Sequence, residues 1–83
     1  MTEVVLITKD DCDYCEQAKD VLARLQPELG LAVREVALDS EEGRGLVAAS
    51  NALFPPVLVL DGRPLFYGRL SERRLRKALA QGR

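Results

Sequence analysis

The stretch EVVLITKDDCDYCEQAKDVLARLQPELG, Glu3 to Gly30, holds the signal on which the fold turns, because its apolar periodicity changes midway. Glu3 to Thr8 is a short β-branched, apolar run closed by Lys9-Asp10-Asp11, and it reads as a strand buried on both faces, as in an α/β sheet. From Cys12 onward the apolar residues recur at three- and four-residue steps. Cys15, Ala18, Leu22, Leu25 and Leu29 make one helical stripe with Val21 beside it. Asp11 or its neighbour can cap this helix, while Pro27 and Gly30 loosen and then end it.

Working outward, Leu31 to Leu38 (LAVREVAL) reads as a second strand, parallel to the first and reached by a right-handed crossover. Ser40 to Asn51 reads as a short helix capped by Ser40, with Leu46, Val47 and Leu53 facing inward and with Gly43 and Gly45 weakening it. After Phe54-Pro55-Pro56, the run Val57 to Leu60 and the run Leu65-Phe66-Tyr67 flank the turn Asp61-Gly62-Arg63-Pro64, which is a hairpin signal. Ser71 caps a last helix whose inner face is Leu75, Ala78 and Leu79. The order β-α-β-α-β-β-α predicts one α/β domain over residues 1–83, a four-stranded mixed sheet flanked by helices.

With 83 residues, 47% hydrophobic and 30% charged, the chain has the balance of a soluble globular domain. No apolar run approaches the roughly 20 residues of a membrane helix, and Met1-Thr2-Glu3 lacks the basic-then-apolar pattern of a signal peptide. A cytoplasmic, monomeric protein without a membrane partner is the expectation. From Arg63 onward there are seven basic residues against Glu72 alone, and the rest of the chain carries five basic against twelve acidic. These cations read as the solvated face of the last helix, suited to its C-terminal end. No aromatic residues interleave with the arginines, so nucleic acid is not an expected partner.

The only two cysteines stand three positions apart, and a disulfide between them would remove little entropy from the unfolded chain. The pair therefore points to redox chemistry or to metal binding. There is no histidine, which excludes Cys-His and Ser-His nucleophile pairs and a His-ligated zinc enzyme. A thiolate is the nucleophile in disulfide exchange, and Cys12, where strand passes to helix, faces backbone N–H groups and the positive helix end. Cys15, one turn on and within the apolar stripe, is placed to resolve a mixed disulfide formed at Cys12. Asp10, Asp11, Asp13 and Glu16 crowd the same turn and oppose ionisation of Cys12, whereas Lys9 and the helix end favour it.

The run Ile7-Thr8-Lys9-Asp10-Asp11-Cys12-Asp13-Tyr14-Cys15 resembles the active site of glutaredoxins and related redoxins of the thioredoxin fold. The resemblance spans nearly the whole chain. Lys9 stands where the family carries a lysine, and Pro56 matches its cis-proline before the third strand. Val57 to Leu60, Asp61-Gly62 and Tyr67-Gly68-Arg69 follow in the family's order. It implies a thioredoxin-like fold of glutaredoxin type and thiol–disulfide exchange, with Cys12 attacking and Cys15 resolving. Lys9, Tyr14, Pro55, Pro56 and Arg69 would support the substrate. The chain departs from the pattern at Asp13, which replaces the motif's proline. It departs again at Pro55, which stands where a threonine helps hold glutathione, and at Gly68-Arg69-Leu70-Ser71, which replaces a Gly-Gly-x-Asp segment. Arg69 could pair with a glutathione carboxylate instead.

The implied role is cellular redox homeostasis by electron transport through the pair. The substrates would be protein disulfides or glutathione mixed disulfides, with no metal and no tightly bound cofactor. The electron donor would be glutathione, or thioredoxin or a flavoprotein reductase. The alternatives are a glutathione-assisted iron–sulfur cluster carrier and a non-catalytic thioredoxin-fold binding module.

Overall fold

The computed structural model describes residues 2–81. The elements are β1 (Thr2–Thr8), α1 (Asp13–Leu29), β2 (Leu31–Ala37), α2 (Glu41–Ser50), β3 (Val57–Leu60), β4 (Arg63–Tyr67) and α3 (Glu72–Gln81). The strands form one mixed sheet in the order β2-β1-β3-β4. β1 runs parallel to β2, from Thr2 opposite Leu31 to Thr8 opposite Ala37, and antiparallel to β3, with Ile7 opposite Val57.

Because successive strand side chains point to opposite faces, the central strand divides its residues between two cores. Val4 and Leu6 join Leu22, Leu25, Leu58, Leu70 and Leu75, with Leu79 packed against them, which seats α1 and α3 on one face. Val5 and Ile7 join Val36, Val57 and Val59 on the other face, where Leu46 and Val47 of α2 cover them. A doubly covered sheet needs such a continuous apolar central strand, and this is why EVVLIT lacks the alternation of a half-exposed one.

Three sequence expectations are corrected. Leu53 is not inward but 79% exposed, since it lies beyond Asn51, the left-handed cap at which α2 stops. Arg63 and Pro64 belong to β4 rather than to the turn. Asp61 and Gly62 alone make the connection, both at positive φ, as a two-residue hairpin requires. Pro64 is tolerated because β4 is an edge strand and the β3–β4 register shifts between Leu58 and Val59. The basic residues of α3 do not serve the helix end, because its last turn holds none. Arg76 reaches Glu72 and Glu28, Arg24 of α1 reaches Glu72, and Arg74 lies over the Phe66 ring at 5.0 Å. These cations lace α3 to α1 and to the sheet; Arg83 lies outside the described residues.

Gly43 is a packing requirement of α2 rather than only a weak point. A Cβ there would run into the Ala37 carbonyl at the end of β2, whereas one at Gly45 would meet nothing within 4 Å. Gly45→Ala is therefore expected to raise stability by about 0.5–1 kcal/mol, the ordinary gain for a helix interior, and Gly43→Ala to lower it. Urea denaturation of the two variants checks this; equal gains would show that α2 can retreat from β2.

Candidate functional site

β1 ends at Thr8, and the chain turns through Lys9, Asp10 and Asp11, the last at φ 54, before α1 begins. An aspartate accepts this left-handed conformation more readily than most residues, and it reverses the chain so that Cys12 becomes the N-cap of α1. Cys12 is extended, at φ −125 and ψ 107, and its Sγ accepts a hydrogen bond from the Cys15 amide at 3.2 Å. The sulfur thus takes the place usually filled by a serine or aspartate oxygen and satisfies one of the free N–H groups of the first turn. The two sulfurs are joined as a disulfide, across Cα atoms 5.2 Å apart. Cys12 is partly exposed, whereas Cys15 is wholly buried on the core side of α1.

The Pro55–Pro56 peptide is cis, and Pro56 leads into β3 at the end of the sheet from which the Cys12 loop departs, since Val57 lies opposite Ile7. The segment before it is tied to α1 by aromatic contact. The rings of Phe54 and Tyr14 lie 6.5 Å apart, and Tyr67 meets Phe54 edge-on at 5.2 Å. Gly68 admits this arrangement, because at φ +84 it carries no Cβ to press on the Phe54 ring. Its N–H donates to the Pro56 carbonyl at 2.8 Å.

Of the residues singled out in the sequence, the structure brings Tyr14, Pro55 and Pro56 to the disulfide end of the sheet. Lys9 and Arg69 go to opposite flanks. Exposed Lys9 lines an open cleft of about 650 Å³ with Glu16, Lys19, Glu35 and Asp39. Arg69 lines a smaller one of about 390 Å³ with Gln17, Arg24 and Ser71. Neither cation hydrogen-bonds a cysteine sulfur, and the hydrogen bond that Cys12 Sγ accepts comes from the Cys15 backbone amide. Tyr67 is exposed at the end of β4, beside Phe54.

Three further features carry no local sequence signal, since their partners are far along the chain. Gln17 grips Leu70, its Nε2 donating to the Leu70 carbonyl and its Oε1 accepting the Leu70 N–H, both at 3.0 Å. Phe54 joins two tyrosines from different elements. Thr8, buried beneath the Cys12 loop, donates to Glu35 Oε2 at 2.6 Å, and Lys19 bridges Glu35 and Glu16.

The Thr8 hydroxyl, and after it Lys19, hold the Glu35 carboxyl below its ordinary range against the opposing effect of partial burial. A carboxylate lowered in the folded state stabilises above its unfolded value, and that contribution is lost as pH falls through the folded one. Stability is thus expected to decline on acidification and to decline less steeply in Glu35→Gln, as read from urea midpoints against pH. Identical slopes would remove Glu35 from the account.

A four-stranded mixed sheet with a C-x-x-C disulfide at the head of its first helix defines a thioredoxin-fold protein with a neighbouring cysteine pair. The chain belongs to the glutaredoxin-like domain family (DUF836), which matches residues 3–80. It is 32% identical to the uncharacterized protein Rv0508 of Mycobacterium tuberculosis over 81 residues, covering 95% of this chain and 84% of that protein. Among solved structures it is similar to the thioredoxin-like protein BC3987, at TM-score 0.69 and 19% identity over 93% of this chain and 94% of the other. Glutaredoxin 1 from Francisella tularensis, crystallised with cacodylate, matches at TM-score 0.55 and 20% identity over 98% and 95% of the two chains. Among the described residues no helix is long and apolar enough to cross a membrane.

Proposed function

We propose that this chain is a dithiol exchange protein in which Cys12 attacks a substrate disulfide and Cys15 resolves the mixed disulfide. The observation that carries the reading is the asymmetry of the pair. Cys12 is partly exposed and its sulfur accepts the Cys15 amide, while Cys15 is closed off. A thiolate at Cys12 would keep that N–H as a charge-assisted donor and would sit at the positive end of α1, which favours the ionised form. Cys15, held one helical turn away and shielded from outside disulfides, would meet only the sulfur already joined to Cys12.

Lys9, Tyr14, Pro55, Pro56 and Arg69 are read as supporting residues around this exchange. Tyr14 and the cis-proline segment face the partner, and the two cations stand on its flanks. Reducing equivalents would return from glutathione, or from thioredoxin or a flavoprotein reductase, in a thiol-reducing compartment such as the cytoplasm. No tightly bound cofactor enters the scheme.

Cys12→Ser is expected to abolish reduction of every disulfide. Cys15→Ser should stall as a covalent mixed disulfide with a protein substrate, visible by mass spectrometry as an adduct released by dithiothreitol. Wild-type turnover of protein disulfides by Cys15→Ser would remove the resolving role from Cys15.

A further inference from the structure

Around the disulfide, several main-chain groups that a small peptide ligand would need are missing or already paired. Pro55 and Pro56 have no N–H to offer. The Pro56 carbonyl is occupied by the Gly68 N–H, and Gln17 takes both the N–H and the carbonyl of Leu70 in the loop between β4 and α3. The surface left between these groups is aromatic. Tyr14 and Phe54 are each 48% exposed and Tyr67 is 38% exposed, although all three lie in mutual or shared ring contact. Phe54 sits at the centre, braced by both tyrosines and lying so near Gly68 that a Cβ there would come within 3.0 Å of its ring. Three rings held in place but left open to water form the kind of anchor that dominates protein–protein binding energy. The loop that leads into Cys12 and the first residue of α1 carry three exposed acids, Asp10, Asp11 and Asp13, against one exposed base, Lys9, so this rim is net negative.

We infer that Tyr14, Phe54 and Tyr67 form a docking strip for a partner protein whose disulfide is flanked by an apolar side chain and a basic residue, in preference to glutathione. The inference rests on the exchange reading above. The apolar side chain seats on Phe54, and the partner's basic residue faces Asp10, Asp11 and Asp13 by charge complementarity. Glutathione carries two carboxylates against one ammonium, a net negative charge that the net-negative rim repels, and no large apolar group for the strip. In the docked complex the Cys12 thiolate bonds to one partner sulfur and expels the other as a thiolate. The Cys15 thiolate then bonds to Cys12 Sγ and expels the first sulfur. Two electrons and two protons have moved from the Cys12–Cys15 dithiol to the partner, and the pair is left oxidised.

The test uses full-length protein reduced with dithiothreitol, freed of it and quenched by alkylation during a single turnover. The probes are a synthetic peptide disulfide with Phe and Lys beside each cysteine, its Gly-Glu counterpart, and oxidised glutathione. The wild type is expected to reduce the Phe-Lys peptide about tenfold faster than either other probe, the margin that one aromatic anchor commonly supplies. Phe54→Ala should erase that margin while leaving the rate with oxidised glutathione within about twofold, and Phe54→Trp should retain it. Tyr67→Ser should reduce the margin in the same direction and guards against a folding defect peculiar to position 54. Equal wild-type rates on the two peptides, or an equal loss on peptide and glutathione in Phe54→Ala, overturn the docking strip and leave the exchange reading standing. A wild type with two titratable thiols that reduces none of the probes overturns both.

Discussion

The hydrogen bond from the Cys15 amide to the Cys12 sulfur is the constraint around which the rest of the molecule is arranged. It exists because a central, doubly covered strand delivers the chain to one end of the sheet. There Asp11 turns it through a left-handed conformation and the first helix starts at once. A serine or aspartate oxygen would ordinarily occupy the cap. A sulfur there links the opening of the helix to the chemistry of a thiol, because the N–H that the helix cannot satisfy internally is the one that would hold a negative charge on that sulfur. The three-residue spacing then returns Cys15 to the same sulfur from the buried face.

Around this pair the fold assembles segments that are remote in sequence. The cis-proline segment comes from the start of β3, Tyr67 and Gly68 from the end of β4, and Leu70 from the approach to α3. They are held by the Gly68–Pro56 main-chain bond and by the Gln17 grip on Leu70, with the Phe54 ring lying outside them against Tyr14 and Tyr67. Salt bridges from Arg76 and Arg24 add ties between α3 and α1, but they are exposed, so each adds little beyond orientation. The site is thus positioned chiefly by packing and by uncharged hydrogen bonds, on a surface that exposes the rings of Tyr14, Phe54 and Tyr67 together with a net-negative loop at Asp10, Asp11 and Asp13.

Much of this was legible in the sequence where the governing interaction is local. The unbroken apolar run of β1, the stripe from Cys15 to Leu29, the caps at Ser40 and Ser71 and the Asp61-Gly62 turn each act within a few residues. The cis-proline was legible only through family resemblance. What escaped depends on distance along the chain. Gln17 has no meaning without Leu70, 53 positions away, and nothing near Tyr67 in the sequence announces the Phe54 ring beside it. Leu53 reads as inward because the helical stripe continues in the sequence past Asn51, the residue at which the backbone leaves the helix. The cations of α3 suit a helix dipole by composition, but its last turn holds none, and Arg76 pairs instead with Glu28 of α1 and Glu72 of its own first turn.

The central claim is that Cys12 and Cys15 are a working redox couple rather than a fixed bridge, and a redox titration tests it most directly. Protein equilibrated across a series of reduced-to-oxidised dithiothreitol ratios, then alkylated and weighed, should pass reversibly between dithiol and disulfide in a single two-electron step, with the same midpoint approached from either side. A pair that stays oxidised, or stays reduced, across the whole series would contradict the account.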